Sequence, residues 1–230
     1  MEMLNNADFW IGLVKIIWIN IILSGDNAVV IALAARSLPP EQQKKAIAFG
    51  SGAAVVLRII LTVVAAKLLE LSFLQVIGGC LLLWIGYQLL TGGDEDEGES
   101  KGTGSMVAAI RTILIADLVM SLDNVIAVAA TAQGNMVLLI LGLAISIPLV
   151  IFGSTLMIKL MERWPVIVTL GAALIGWVGG ETIMNDNLLH GYVEGHPALH
   201  YLAAAAGAAL VVGLGLWLQK RGEAKSTSSM

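Results

Sequence analysis

Charge is what this sequence has least of. Only 13% of its 230 residues are Asp, Glu, Lys or Arg and 57% are hydrophobic, against roughly 25% and 45 to 50% in soluble domains. A water-soluble globular domain is excluded. Cysteine is almost absent: Cys80 stands alone, inside the apolar run 76–83. It can form neither an internal disulfide nor a thiolate metal cluster, and it reads as packing. Blocks of Lys and Arg interleaved with aromatics are missing, and a net charge of -4 with pI near 5.3 leaves no electrostatic footprint for nucleic acid. There is no P-loop and no nucleophile–base constellation, so neither nucleotide-driven work nor enzyme catalysis is expected. A short signal-peptide core is missing as well. The first apolar run is about 25 residues long and contains Asp26, so the N-terminus reads as a retained span.

What the chain does have is apolar runs of the length that crosses a hydrocarbon layer of roughly 30 Å. Seven are predicted, at about 10–35, 46–69, 73–90, 106–130, 136–158, 166–184 and 199–218. The expected fold class is all-α, a polytopic membrane protein of seven transmembrane helices. Between the third and fourth spans lies the acidic, Gly-rich stretch GGDEDEGESKGTGS, and a polar tail follows the seventh; both compositions favour flexibility. Arg36, Lys44, Lys45, Lys101, Lys159, Arg163, Lys220, Arg221 and Lys225 fall on one side of the spans, and Lys67 on the other. The Lys/Arg-rich side is cytoplasmic by the positive-inside rule, which puts the N-terminus outside and the C-terminus inside.

The chain also repeats itself. NIILSGDNAVVIALAA, starting at Asn20, matches DLVMSLDNVIAVAATA, starting at Asp117. Ser24, Asp26 and Asn27 fall on Ser121, Asp123 and Asn124, Asn20 falls on Asp117, Gly50 on Gly142, the WIG at Trp84 on the WVG at Trp177, and Gln88 on Glu181. Each repeat holds three spans, an odd number, so the second enters the membrane from the opposite side, an architecture associated with secondary transporters. The expected organisation is a first three-helix repeat at 1–91, an acidic cytoplasmic linker at 92–105, a second inverted three-helix repeat at 106–186, an external loop and seventh helix at 187–218, and a disordered tail at 219–230.

Asp26, Arg58, Asp117, Asp123 and Glu181 interrupt the spans. Each costs roughly 2.5 to 3.5 kcal/mol at mid-span, so they must face one another, water or an ion. Four acids against one base suit a cation and not an anion. Carboxylates and Asn carbonyls are hard oxygen donors that suit Mg, Ca or Mn, and no Cys or His cluster within the spans favours softer metals. Asp117, Ser121 and Asn124 share one face of a regular helix, whereas Asp123 points about 120° away. Either the spans unwind near Ser24-Gly25 and Ser121-Leu122, or Asp117 and Asp123 serve different partners. A break in the first span at Gly25 is the favoured expectation. Other assignments stay open: the Asp-Asn pairs as interhelical hydrogen-bond glue, Asp117 as counter-ion to Arg58, Glu181 as a residue reaching the interface. His190, His196 and His200 read as an external loop, with Pro197 arguing against a metal site.

The SGDNAVVIALAA and SLDNVIAVAA segments, with GWVGGETI late in the sixth span, resemble the TerC family of integral membrane proteins, in particular its short bacterial branch. The resemblance covers about 10–218. It implies export of manganese and related divalent cations across a bacterial inner membrane, a tie to tellurium resistance, and membership of a wider group that includes the lysine exporters. It also implies that Asp26, Asn27, Asp123 and Asn124 are motif residues at the ion site, with Asp117 and Glu181 as acidic companions. The transported cation, Mn2+ in the first place, would be cargo, and no cofactor is expected. Membrane lipid and the divalent cation are the expected partners, and a homodimer is compatible with the pattern. The alternatives are a lysine-type amino-acid exporter and a non-transporting scaffold.

Overall fold

The computed structural model describes residues 7–23, 25–68, 71, 73–91, 105–132, 135–193, 196 and 198–227. The described residues form helices and turns, with no strand: α1 (Ala7–Leu23), α2 (Gly25–Ala35), α3 (Pro40–Leu68), α4 (Leu74–Thr91), α5 (Met106–Ala132), α6 (Met136–Arg163), α7 (Val166–Met184), α8 (His190–Val193) and α9 (Ala198–Thr227). Among them α3, α4, α6, α7 and α9 are long and apolar enough to cross a membrane, and α1 and α2 contribute two shorter apolar helices. Large apolar side chains such as Phe49, Val56, Ile60, Phe152 and Leu170 are exposed, as a lipid-facing surface requires.

Local chemistry sets the boundaries. Pro40 opens α3, where a missing N–H costs nothing and φ is already helical. The Asn135 side chain accepts from the backbone N–H groups of Val137 and Leu138, both at 3.1 Å, and so caps α6. The first predicted span is described as two helices, α1 to Leu23 and α2 from Gly25, at the place where a break is expected, with Ser24 between them outside the described residues. One expectation needs correction. The polar segment after Leu218 is not structureless, because α9 continues as helix to Thr227. The linker at 92–104 and residues 228–230 lie outside the described residues.

The packing order is crossed. The α1 and α2 helices lie against α6, α3 lies against α5, and α4 lies against α7, which in turn packs on α9. Gly142 on α6 admits Ile16 of α1, and Gly50 on α3 admits Ile113 of α5; a Cβ at either glycine would crowd the isoleucine, and both isoleucines are fully buried. Along α7 and α9 the backbones touch. A Cβ at Gly180 would strike the carbonyl of Ala203, and one at Gly207 that of Gly176. Between apolar helices in lipid, such close approach replaces the hydrophobic effect as the source of association.

Helix α4 is satisfied at both ends by groups far away in sequence. The Asp186 carboxylate, 1% exposed, accepts from the N–H groups of Phe73 (3.1 Å), Gln75 (3.1 Å) and Val76 (3.2 Å), and from Leu188 (3.0 Å) in its own turn. It thereby caps the first turn of α4 and holds Phe73 in the left-handed region at φ 69°, a conformation that a non-glycine residue rarely adopts. At the other end Arg36 donates to the carbonyl of Leu89 (3.0 Å) and Gln219 to that of Leu90 (2.8 Å).

Burial alone would push the Asp186 carboxyl up, but the N–H groups of Leu188, Phe73, Val76 and Gln75 together hold it below the ordinary carboxylate value. A depressed folded pKa contributes stability that is complete above the unfolded value, near 3.9, and is lost as pH falls through the folded one. Asp186→Ala should therefore destabilise the detergent-solubilised protein by about 3 kcal/mol at pH 7. Thermal melts should show that difference shrinking as the pH is taken below 4.

Candidate functional site

Asp26 and Asn27 stand in the first turn of α2, inside the helix assembly instead of at its edge. The Asp26 carboxylate accepts from the Asn27 N–H at 2.8 Å, and a negative side chain is favoured at this end of a helix. Asn27 is 4% exposed. Across from it stand α3 and α5, joined by a buried ring of polar groups. The Arg58 guanidinium donates through Nη2 to Asp117 Oδ1 at 2.6 Å and through Nε to Ser121 Oγ at 3.0 Å; Ser121 Oγ in turn donates to Asp117 Oδ2 at 3.3 Å. Arg58 is 5% and Asp117 7% exposed, and Ser121 is fully buried.

Beside this ring lies a cavity of about 20 Å3, with walls formed by Asn27 and Ile31 of α2, Ser51, Ala54, Val55 and Arg58 of α3, Asp117 of α5, and Leu143, Ser146, Ile147 and Val150 of α6. Its volume suits one water-sized occupant. The polar atoms available are carboxylate, amide and hydroxyl groups, with one fixed positive charge. The Ser51 hydroxyl is buried and has no hydrogen-bond partner among the described residues, whereas Ser146 donates to the Gly142 carbonyl at 3.0 Å. Pro148 sits at the same level of α6 and removes the donor that would otherwise bond the carbonyl one turn earlier.

Of the sequence-predicted site residues, Asn27 and Asp117 line this cavity together. Asp26 is half-buried and within electrostatic range of both Arg58 and Asp117. The backbone of Asp123 lies in α5, which is continuous through Ser121-Leu122, so the second span of the motif is not unwound. The Asp123 side chain lies outside the described residues, as does that of Asn20. Asn124 is half-buried and does not line the cavity. Glu181 is exposed and lines a separate cavity of about 270 Å3, with Trp177, Asn185, His200, Tyr201 and Ala204. It therefore does not join Asp117. Among the described residues no group of three or more His, Cys, Asp and Glu is placed to hold a metal ion by itself, so any ion at Asp117 must rely on amide and hydroxyl oxygens as well.

Ser51 and Ser146 were not expected at the site, since a serine in an apolar helix is an ordinary packing residue. Asp186 was not expected either. Its partners at the start of α4 lie more than 100 residues away, and a loop aspartate carries no sequence signal of that role.

The ring makes a stability prediction. Arg58→Ala leaves Asp117 buried without its counter-charge and should destabilise the protein by about 3 to 5 kcal/mol. The paired change Arg58→Val with Asp117→Asn, which leaves no charge behind, should melt close to wild type. Thermal unfolding of both variants in one detergent checks this.

The profile of the integral membrane protein TerC family matches residues 5–223. The chain is 42% identical to the uncharacterized membrane protein YjbE of Bacillus subtilis, over 93% of this chain and 97% of that one. It is 26% identical to the UPF0053 inner membrane protein YoaE of Escherichia coli over 92% of its own length, but spans only 43% of that longer protein. Its likeness to the uncharacterized membrane protein YkoY of Bacillus subtilis is 27% identity, covering 74% of this chain and 58% of the other. No solved structure matches. Since the profile covers nearly the whole chain, including both Asp-Asn motifs, this protein belongs to the TerC family of integral membrane proteins.

Proposed function

We propose that this protein exports a divalent metal cation, Mn2+ before others, from the cytoplasm across a bacterial inner membrane. The observation that carries the reading is the small cavity between α2, α3, α5 and α6, which offers Asp117, Asn27 and a Ser51 hydroxyl without a partner among the described residues. Hard oxygen donors suit Mg, Ca or Mn, and the family resemblance selects manganese among them. A volume of about 20 Å3 is far too small for an amino acid, which disfavours the lysine-type alternative.

The reading includes seven spans, with α1 and α2 together forming the first, and two inverted three-span repeats. The packing supports this. Gly50 pairs with Gly142 in the repeat, and Ile16 pairs with Ile113 by the spacing that pairs Asp26 with Asp123. The contacts Gly142–Ile16 and Gly50–Ile113 are then images of each other. The same register carries Lys67 and Glu70 onto Lys159 and Glu162. It also sorts eight of the eleven cavity residues into exchanged pairs: Ser51 with Leu143, Ala54 with Ser146, Val55 with Ile147, and Arg58 with Val150. A cavity with walls exchanged by the repeat lies on the repeat axis, where transporters of this architecture bind cargo.

In the proposed cycle the ion enters from the Lys/Arg-rich cytoplasmic side and is held by Asp117 and Asn27, with Asp26 nearby. It leaves outward as the two repeats rock against each other. With no nucleotide motif in the sequence, the work comes from an ion gradient, and carboxylates that must shed protons to bind metal make proton exchange the natural partner. Asp26→Asn or Asp123→Asn should reduce manganese efflux from preloaded cells to that of cells lacking the protein, at unchanged membrane abundance. Efflux at the wild-type rate would sink the proposal. Purified protein in liposomes separates transport from a scaffold role, since a scaffold moves no ion by itself.

A further inference from the structure

We infer that Arg58 is a specificity-determining residue that makes the cavity discriminate among cations by their charge; this rests on the cation-transport reading above. The guanidinium is a permanent charge. Arg58 lines the cavity that Asn27, Ser51 and Asp117 also line, and the bonds to Asp117 and Ser121 fix it in the wall. Any cation that enters therefore binds next to a positive charge that proton loss cannot remove. Coulomb repulsion at a given distance scales with the charge of the incoming ion. The handicap is small for a monovalent, larger for a divalent and largest for a trivalent cation.

Two observations argue against a purely structural role for the pair. The first is the repeat itself. The positions corresponding to Arg58 and Asp117 are Val150 and Asn20, so the matching α1–α6 contact is made without an ion pair, although its glycine–isoleucine packing is the same. Helix packing at this place does not demand the charges. The second is the Ser51 hydroxyl, 2% exposed and without a partner among the described residues, in the same wall on the same helix. A polar group left in that state points to an occupant of the cavity that the ring does not satisfy.

The consequence is a balance between holding and releasing. Without Arg58 the carboxylates around the cavity would bind a divalent ion more tightly and release it more slowly, and would retain trivalent ions more tightly still. With it, the site binds divalent cations loosely enough to turn over. The scaling is testable as a ratio. If losing the guanidinium strengthens divalent binding by about tenfold, the same potential strengthens trivalent binding by about thirtyfold, because the effect grows as the power of the charge.

The experiment measures binding of Mn2+ and Tb3+ to the full-length protein in detergent, by calorimetry for the former and lanthanide luminescence for the latter, with size-exclusion profiles confirming fold. Arg58→Lys should keep the wild-type ratio of the two affinities. Arg58→Gln should tighten both, Tb3+ by more than Mn2+, while slowing manganese efflux. Should Arg58→Gln fail to fold, Arg58→Val with Asp117→Asn compared with Asp117→Asn alone supplies the same test, because both lack the carboxylate and differ in the guanidinium. The double variant should bind both ions more tightly than Asp117→Asn does, Tb3+ by more than Mn2+. Equal effects on the two ions in Arg58→Gln, weaker binding of both, or a double variant that gains no more for Tb3+ than for Mn2+ over Asp117→Asn would overturn the role of Arg58. Absence of binding by the wild-type protein itself would instead overturn the cation reading on which it rests.

Discussion

The structure is organised around the cost of placing charge in hydrocarbon. An arginine on α3 and an aspartate on α5, each buried, are tolerable only because each neutralises the other and because Ser121 accepts from one and donates to the other. Breaking such a ring leaves an uncompensated charge where water cannot reach it. The ring therefore fixes how α3 and α5 face each other, and with them one wall of the cavity. The opposite wall includes the start of α2, where Asp26 and Asn27 take an end-of-helix position that favours a carboxylate.

Around this polar centre the helices are held by closeness more than by hydrophobicity. In lipid an apolar side chain gains little by turning inward, so association rests on dispersion and on bonds between helices. Gly176, Gly180 and Gly207 bring α7 and α9 to backbone contact, and Gly79 and Gly179 do the same for α4 and α7. The ends of α4 show the complementary device. Asp186 answers the free N–H groups at one end, and Arg36 and Gln219 answer carbonyls at the other. A helix inside such a bundle has no water to satisfy its termini, so three residues from other parts of the chain do so.

Much of this was legible in the sequence because the membrane makes hydropathy nearly decisive. The sixth predicted span coincides with α7, and the others agree with their helices apart from the ends and the division of the first span into α1 and α2. Ser121-Leu122 has no neighbouring glycine, and its helix stays intact. The site was legible in part, for a matching reason. Asp117 and Asn27 were conspicuous as polar exceptions in apolar runs, and they share the cavity. Glu181 was equally conspicuous but sits elsewhere, because a residue near the end of a span can satisfy its charge outward as readily as inward. Ser51 and Asp186 were invisible, one because serine is unremarkable in a helix, the other because its role is defined by chain segments more than 100 residues distant.

The proposed repeat gives the last step its force. Two halves related by exchange would produce a symmetric cavity, and most of its walls follow that rule. The polar departures are arginine opposite valine, aspartate opposite asparagine, serine opposite leucine and serine opposite alanine. The first two depart together. A lone arginine without its aspartate, or the reverse, would have left a buried charge unpaired, so the change from a neutral pair to an ionic one is a coupled change across α3 and α5. Symmetric packing allows the two halves to exchange conformations, while a charged pair on one side only makes the two conformations differ in electrostatic energy. In a carrier that must bind on one face and release on the other, that inequality is where a preference between the two states can be set.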